Sequence, residues 1–269
     1  LYMVHHMRWV GSAQTTPMGQ MTAREFRRLL PPGVEPLLAR RLYRRQVSRC
    51  PYLFSVAPQG YDAGVARDRT PPSRPGFPPT HALLDEAWRR YLAAMEHLLA
   101  NQPYLLGGRF TLADASAYGQ LGMNLVDPQA IAQLELLAPN TFRWLCAIRD
   151  GRQGEQGRAD LALTSSLIPL LRIITSTFVA LMRQNEKAYE HAVADGETVF
   201  NEAAFDRHRA LYDGHLLGHP FRAVAKTFQV RVWRELKESW QALDVQDRNS
   251  LEQELLPDAG ITFSPDSAV

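Results

Sequence analysis

The stretch from Pro103 to Ala115, P-Y-L-L-G-G-R-F-T-L-A-D-A, constrains the fold more tightly than any other part of the chain. A turn on Gly107 and Gly108 leads into Thr111, which stands three residues before Asp114. That is capping-box spacing with Asp in place of Glu. The threonine side chain accepts from the Asp114 N–H, and the carboxylate returns to the Thr111 N–H. The carboxylate also sits in the first helical turn, where the helix dipole favours an anion. Such a box stabilises a helix start by about 1 kcal/mol. It predicts a helix from Leu112 to Leu125. Ala113, Ala115, Ala117, Gly119 and Gly122 put small residues on several sides, which predicts a buried helix.

Helical patterns fill most of the remaining chain. Thr22 and Glu25 form a second box before Pro31-Pro32, and Pro36 opens a helix with Leu38 and Leu42. Residues 57–80 are rich in proline and glycine and read as a loop. Thr80 is the expected cap of a long helix to Asn101. Leu84, Ala87, Tyr91, Met95 and Leu98 make its apolar stripe, widened by Trp88 and Leu99. Asp127-Pro128 reads as an N-cap with a first-turn proline, and Pro139 to Asp150 as a helix closed by Gly151. A polar, glycine-rich linker covers 151–160. Beyond it come an apolar helix from Leu161 to Val193, a short helix capped by Asn201, and a turn or tiny hairpin at 212–218. A long helix is expected from Phe221 to Leu243, with Val224, Phe228, Val232, Leu236 and Trp240 at i+4 spacing, then a last helix capped by Asp244 or Asp247. The class is all-α, with a helical domain over 1–150 carrying a Pro-rich insertion at 57–80, and a helical subdomain or extension over 161–269.

Apolar content of 45% and charge of 22% are ordinary for a globular chain. A net charge of +2 gives no electrostatic reason to expect nucleic acid or an anionic membrane as partner. Cys50 and Cys146, the two cysteines, make no disulfide framework and suit the cytoplasm. No apolar run of membrane-spanning length and no signal peptide is expected. The chain opens at Leu1 in what reads as the middle of a helix, so it is read as a fragment.

Cys50-Pro51-Tyr52 has the triplet in which some redox enzymes present a reactive cysteine. That chemistry needs a buried strand delivering the thiol to a helix N-terminus, and here a basic helical run precedes it. His208, His215 and His219, with Asp206 and Asp213, are spaced too loosely for a zinc site. The sequence contains no G-x-S-x-G elbow, G-x-G-x-x-G fingerprint or phosphate loop. No residue is assigned to catalysis, cofactor or metal.

From His81 to Ile148 the chain resembles the C-terminal all-helical domain of the glutathione S-transferase superfamily. The similarity rests on the helix ending Glu96-His-Leu-Leu-Ala-Asn, on Gln102-Pro-Tyr-Leu-Leu-Gly-Gly-Arg-Phe-Thr-Leu-Ala-Asp-Ala, and on Pro139–Leu145 with Trp144, in that order. The resemblance implies a helical bundle whose boxed helix, at Thr111 and Asp114, is the buried central one. It implies a homodimer formed through this domain, with glutathione as co-substrate of the full-length protein. In that family a thioredoxin-like N-terminal domain holds glutathione. Nothing in this sequence resembles that domain, so the chain alone is expected to be inactive. Tyr2, His6 and Trp9 are where the resemblance places contacts with an electrophilic co-substrate. The alternative reading is a non-catalytic dimerisation or scaffolding module.

Overall fold

The computed structural model describes residues 24–34, 36–38, 41, 81–153 and 161–254. Tyr2, His6, Trp9, Thr22, Cys50 and the 57–80 segment lie outside the described residues. A short helix covers 24–29, ahead of Pro31. The later elements are α1 (His81–Asn101), α2 (Leu112–Leu121), α3 (Pro128–Leu137), α4 (Pro139–Arg149), α5 (Ile168–Ile174), α6 (Ala180–Ala194), α7 (Asn201–Asp206), β1 (Leu211–Leu216), β2 (His219–Val224), α8 (Thr227–Ala242) and α9 (Val245–Glu254). Among the described residues the fold is helical, with one small two-stranded sheet. The chain divides into two compact units. One comprises the described residues up to Trp88, with Val126–Ala132 and His191–Ala225; the other comprises Arg89–Leu125, Gln133–Glu190 and the described residues from Lys226.

In the first unit β1 and β2 pair antiparallel, from Leu211 opposite Val224 to Leu216 opposite His219. Leu217 and Gly218 make the connection, both in the left-handed region at φ 52° and 79°. Two such residues in a row give the turn whose twist matches a hairpin. This corrects the expected helix start at Phe221, because Phe221–Val224 are committed to the ladder and α8 begins six residues later, at Thr227. Phe221, Ala223 and Val224 are buried. The Tyr212 ring meets Phe221 edge-on at 5.8 Å, and burial pushes the Tyr212 phenol well above its ordinary pKa. Val224 joins Ala204 in a small core covered by Val199, Ala210 and Leu211.

In the second unit Leu92, Met95 and Leu98 of α1, Leu134 of α3 and Leu145 of α4 are fully buried. The start of α4 is held from a distance. Ala138, its N-cap, has no side chain able to cap. Glu96 of α1 does so instead: its carboxylate accepts from the backbone N–H groups of Asn140 at 2.9 Å and Thr141 at 3.1 Å, and from the Asn140 amide at 2.6 Å. The other end closes as expected at Gly151, φ 72°. Gly151 N–H donates to Ile148 O and Arg152 N–H to Ala147 O, the paired bonds of a Schellman cap.

The expected helix over 161–193 is built in pieces: a 3₁₀ turn at Ser165–Leu167, α5, a π-helical turn at Thr175–Val179, and α6. Thr175, Ser176 and Thr177 bond back to the carbonyls of Leu171, Arg172 and Ile173, competing with the ladder where it widens. Ser165–Ala194 is long and apolar enough to cross a membrane by length and composition, which corrects the expectation that no run reaches that length. Leu167, Leu170, Ile173, Val179, Leu181 and Met182 of this run are buried within the fold.

Two further expectations change. The i+4 stripe of α8 is not its buried face: Phe228 is 64% exposed, whereas Val230 and Trp233 are buried. A step of four residues advances about 400° around a 3.6-residue helix, so a strict i+4 row drifts about 40° per step and leaves any one face. Helix α2 is not buried on all sides either. Of its ten residues only Asp114 and Leu121 are buried, and Leu112 is 81% exposed. Alanine, serine and glycine offer little apolar area to drive burial, so the helix is anchored by a polar group instead.

Candidate functional site

The capping box is formed and does more than its spacing requires. Thr111, at φ −130° and ψ 175°, is the N-cap of α2, and its N–H donates to Asp114 Oδ2 at 2.9 Å. The Thr111 hydroxyl donates to the same oxygen at 2.8 Å. The other oxygen, Oδ1, accepts the backbone N–H of Leu105 at 2.8 Å. One fully buried carboxylate therefore ties the helix start to the turn before it. Gln102 holds that turn from the other side. Its amide donates to the carbonyls of Tyr104 and Leu105 at 2.7 and 3.0 Å, and its oxygen accepts the Thr164 hydroxyl at 2.6 Å. Gly107, at φ 96°, closes the turn by accepting from Tyr104 N–H, and the neighbouring Leu106 carbonyl accepts Ala162 N–H.

These bonds fix Tyr104, which faces Phe110 edge-on at 5.7 Å and donates its hydroxyl to the Gln153 carbonyl. Burial, with the Asp114 charge adding to it, raises the Tyr104 phenol above its ordinary pKa, so it stays a donor. Tyr104 forms part of a cleft of about 490 Å³ between the end of α1, the turn and α4. Leu99, Pro103, Phe142 and Ile148 make its apolar walls, and Asn140, Arg143, Arg152 and Gln153 bring polar groups. Trp144 and Cys146 also line it. Among the described residues, Trp144 Nε1 and Gln153 Oε1 are buried side-chain atoms without a hydrogen-bond partner. Among the described lining residues there is no histidine or carboxylate. A second groove, of about 420 Å³, is lined by Arg90, His97, Arg172 and Ser176 among others.

Residues 58–145 match the family Glutathione S-transferase, C-terminal domain. Over those residues, about a third of the chain, the similarity is to a glutathione S-transferase C-terminal domain. None of the curated proteins and none of the solved structures matches the chain. The family match begins inside the 57–80 segment, before the His81 at which the sequence resemblance starts, and includes the Thr111–Asp114 box and the first half of α4.

The structure brings Thr111 and Asp114 together as the spacing required. Tyr2, His6 and Trp9 lie outside the described residues, as does Cys50. The histidines singled out by spacing do not converge. His208 and His215 are exposed, while His219 Nε2 lies 2.8 Å from Glu86 Oε2. Among the described residues no group of three or more metal-ligating side chains forms. The cleft residues Tyr104, Trp144 and Gln153 were not singled out as a site. Tyr104 and the Gln153 carbonyl that it bonds stand 49 residues apart, and the local signals were Tyr104 and Trp144 within the segments that carry the resemblance.

Proposed function

We propose that this chain is the helical, co-substrate-facing part of a cytoplasmic glutathione S-transferase-like protein. In its full-length form that protein acts on electrophiles or disulfides with glutathione, and the chain alone turns over neither. The match of residues 58–145 to the family carries the reading. The anchored Thr111–Asp114 turn supports it, since it is the element on which the family resemblance rests. The test is glutathione conjugation to 1-chloro-2,4-dinitrobenzene by the purified chain, with a glutathione-binding titration alongside. The expected rate equals the uncatalysed one; turnover above background overturns the proposed inactivity. A reading frame upstream of Leu1 that encodes a β-α-β segment supports the enzyme reading, and a different upstream domain refutes it.

A second reading, a non-catalytic dimerisation or scaffolding module, is favoured by the apolar side chains left at the surface. Leu112 is 81%, Leu136 80% and Leu161 56% exposed. Large exposed apolar groups mark interaction surfaces when they are contiguous. Both readings expect a homodimer in sedimentation velocity, and a strictly monomeric chain argues against the module; glutathione turnover by the full-length protein, absent for a module, separates the two.

A further inference from the structure

We propose that the groove between α1 and the run from α5 into the π-helical turn binds a phosphate monoester with a small apolar body, independently of the glutathione chemistry proposed above. Both walls belong to the second unit. Arg90, Ala93, Ala94 and His97 line the groove from α1, and Pro169, Arg172, Ile173 and Ser176 line it from the other side. Each set is spaced i, i+3, i+4, i+7, which puts four side chains on one helical stripe about 10 Å long. The middle of the α1 stripe is two alanines, whose short side chains leave the space between the walls open. Ala94 and Ile173 are buried and supply apolar contact, whereas Arg90, His97 and Arg172 are exposed.

Charge selects the occupant. Two guanidiniums and an imidazole line one groove, and among the described lining residues no carboxylate does. Like charges gathered along a groove concentrate an anion there. A guanidinium is always charged, and its five N–H donors form a fork that fits phosphate oxygens two at a time, so it serves an anion alongside another partner. A carboxylate has two oxygens, enough for one such fork. A phosphate monoester has three, with nearly two negative charges at neutral pH, and suits forks from both walls. The Ser176 hydroxyl is committed to Arg172 O at 2.9 Å, which leaves the arginines and His97 as the donors. The volume of about 420 Å³ falls among small-molecule sites, which run from about 300 to 1,000 Å³. A second observation falls at the same place. Among the described residues the one π-helical turn, Thr175–Val179, begins two residues after Ile173 and contains Ser176. Such turns are rare and are frequent at functional sites.

The experiment titrates the full chain with phenyl phosphate by isothermal calorimetry at about pH 8, where the ester is a dianion. Saturable one-to-one binding is expected, weakening as salt is added. Benzoate, with one charge, and inorganic phosphate, with no apolar body, are each expected to bind about tenfold more weakly. Arg90→Gln and Arg172→Gln each remove one exposed charge and should each weaken phenyl phosphate about tenfold. Ala93→Phe, also at an exposed position, keeps both charges but fills the groove, and should abolish binding. Arg143→Gln, which removes an exposed charge from the other cleft, should leave binding unchanged. Absence of saturable binding overturns the proposal, as does undiminished binding in Arg90→Gln, Arg172→Gln or Ala93→Phe. An equal loss in Arg143→Gln overturns it too, and so does benzoate or inorganic phosphate binding as tightly as the ester.

Discussion

Replacing Asp114 by alanine separates a local cap from a tertiary anchor. As a capping box alone the carboxylate is worth about 1 kcal/mol. In the structure it is fully buried and accepts from Leu105 N–H, Thr111 N–H and the Thr111 hydroxyl. Alanine leaves the buried Leu105 N–H without an acceptor, at about 1–3 kcal/mol, and the half-buried Thr111 N–H, at about 1 kcal/mol. The lost favourable charge at the helix N-terminus adds roughly 0.5 kcal/mol. The expected destabilisation is therefore about 2.5–4.5 kcal/mol. At about 2–4 °C per kcal/mol for a chain of this size, that is a fall of roughly 10 °C in Tm. Thr111→Val is the control, because it removes only the hydroxyl and keeps the N–H on the carboxylate; it should cost about 1 kcal/mol. Thermal and urea unfolding followed by far-UV circular dichroism measure both. Hydrogen exchange of the Leu105 amide supplies an independent readout, with protection lost in Asp114→Ala and kept in Thr111→Val. Equal losses of about 1 kcal/mol in the two variants would refute the anchor and leave only the cap.

Four other outcomes follow from named contacts. Glu96→Ala should lower stability by about 2–4 kcal/mol in urea unfolding, with Glu96→Gln costing about half of that, because the amide keeps an acceptor and loses the charge. Asn185 is fully buried, donates to Lys226 O at 3.0 Å and accepts Lys226 N–H at 2.9 Å at the N-cap of α8, so Asn185→Leu should cost about 2–4 kcal/mol by the same assay. Leu217 holds φ 52° beside Gly218, and Leu217→Asn should raise stability by about 1 kcal/mol, since asparagine tolerates that conformation in a two-residue hairpin turn; a fall in Tm would argue against this turn. Burial opposes ionisation of Glu186, but Lys237 at 2.7 Å and Arg234 at 2.8 Å outweigh it and hold the carboxyl below its ordinary pKa. A depressed carboxylate stabilises the fold above its unfolded pKa of about 4.3 and loses that contribution as pH falls through the folded value, so Glu186→Gln should flatten the acid limb of a stability–pH profile below about pH 5.

Much of the local structure was legible in the chain. Gly151 ends α4, Pro128 opens α3, and the turn or tiny hairpin expected at 212–218 is most of the first strand and the Leu217–Gly218 turn of a larger hairpin over 211–224. These signals are short-range: a proline with φ already set, a glycine free to go left-handed, a side chain reaching three residues along. The errors were of another kind. Phe221–Val224 resembled a helix until a strand at Leu211–Gly214, seven to thirteen residues upstream, claimed its backbone, and the i+4 row of α8 named the wrong face because period alone does not say which side has a neighbour.

The sequence by itself determined that the chain is helical, where α2 begins, and that Thr111 and Asp114 meet there, since each depends on atoms a few bonds apart. Only the tertiary structure decided that Asp114 also holds Leu105, that Glu96 caps a helix 44 residues away, and that Tyr104, Trp144 and Gln153 share one cleft. Those contacts depend on the path of the chain through space. No local rule encodes which buried donor will find which distant acceptor, because any carboxylate of suitable reach satisfies a bare helix end equally well.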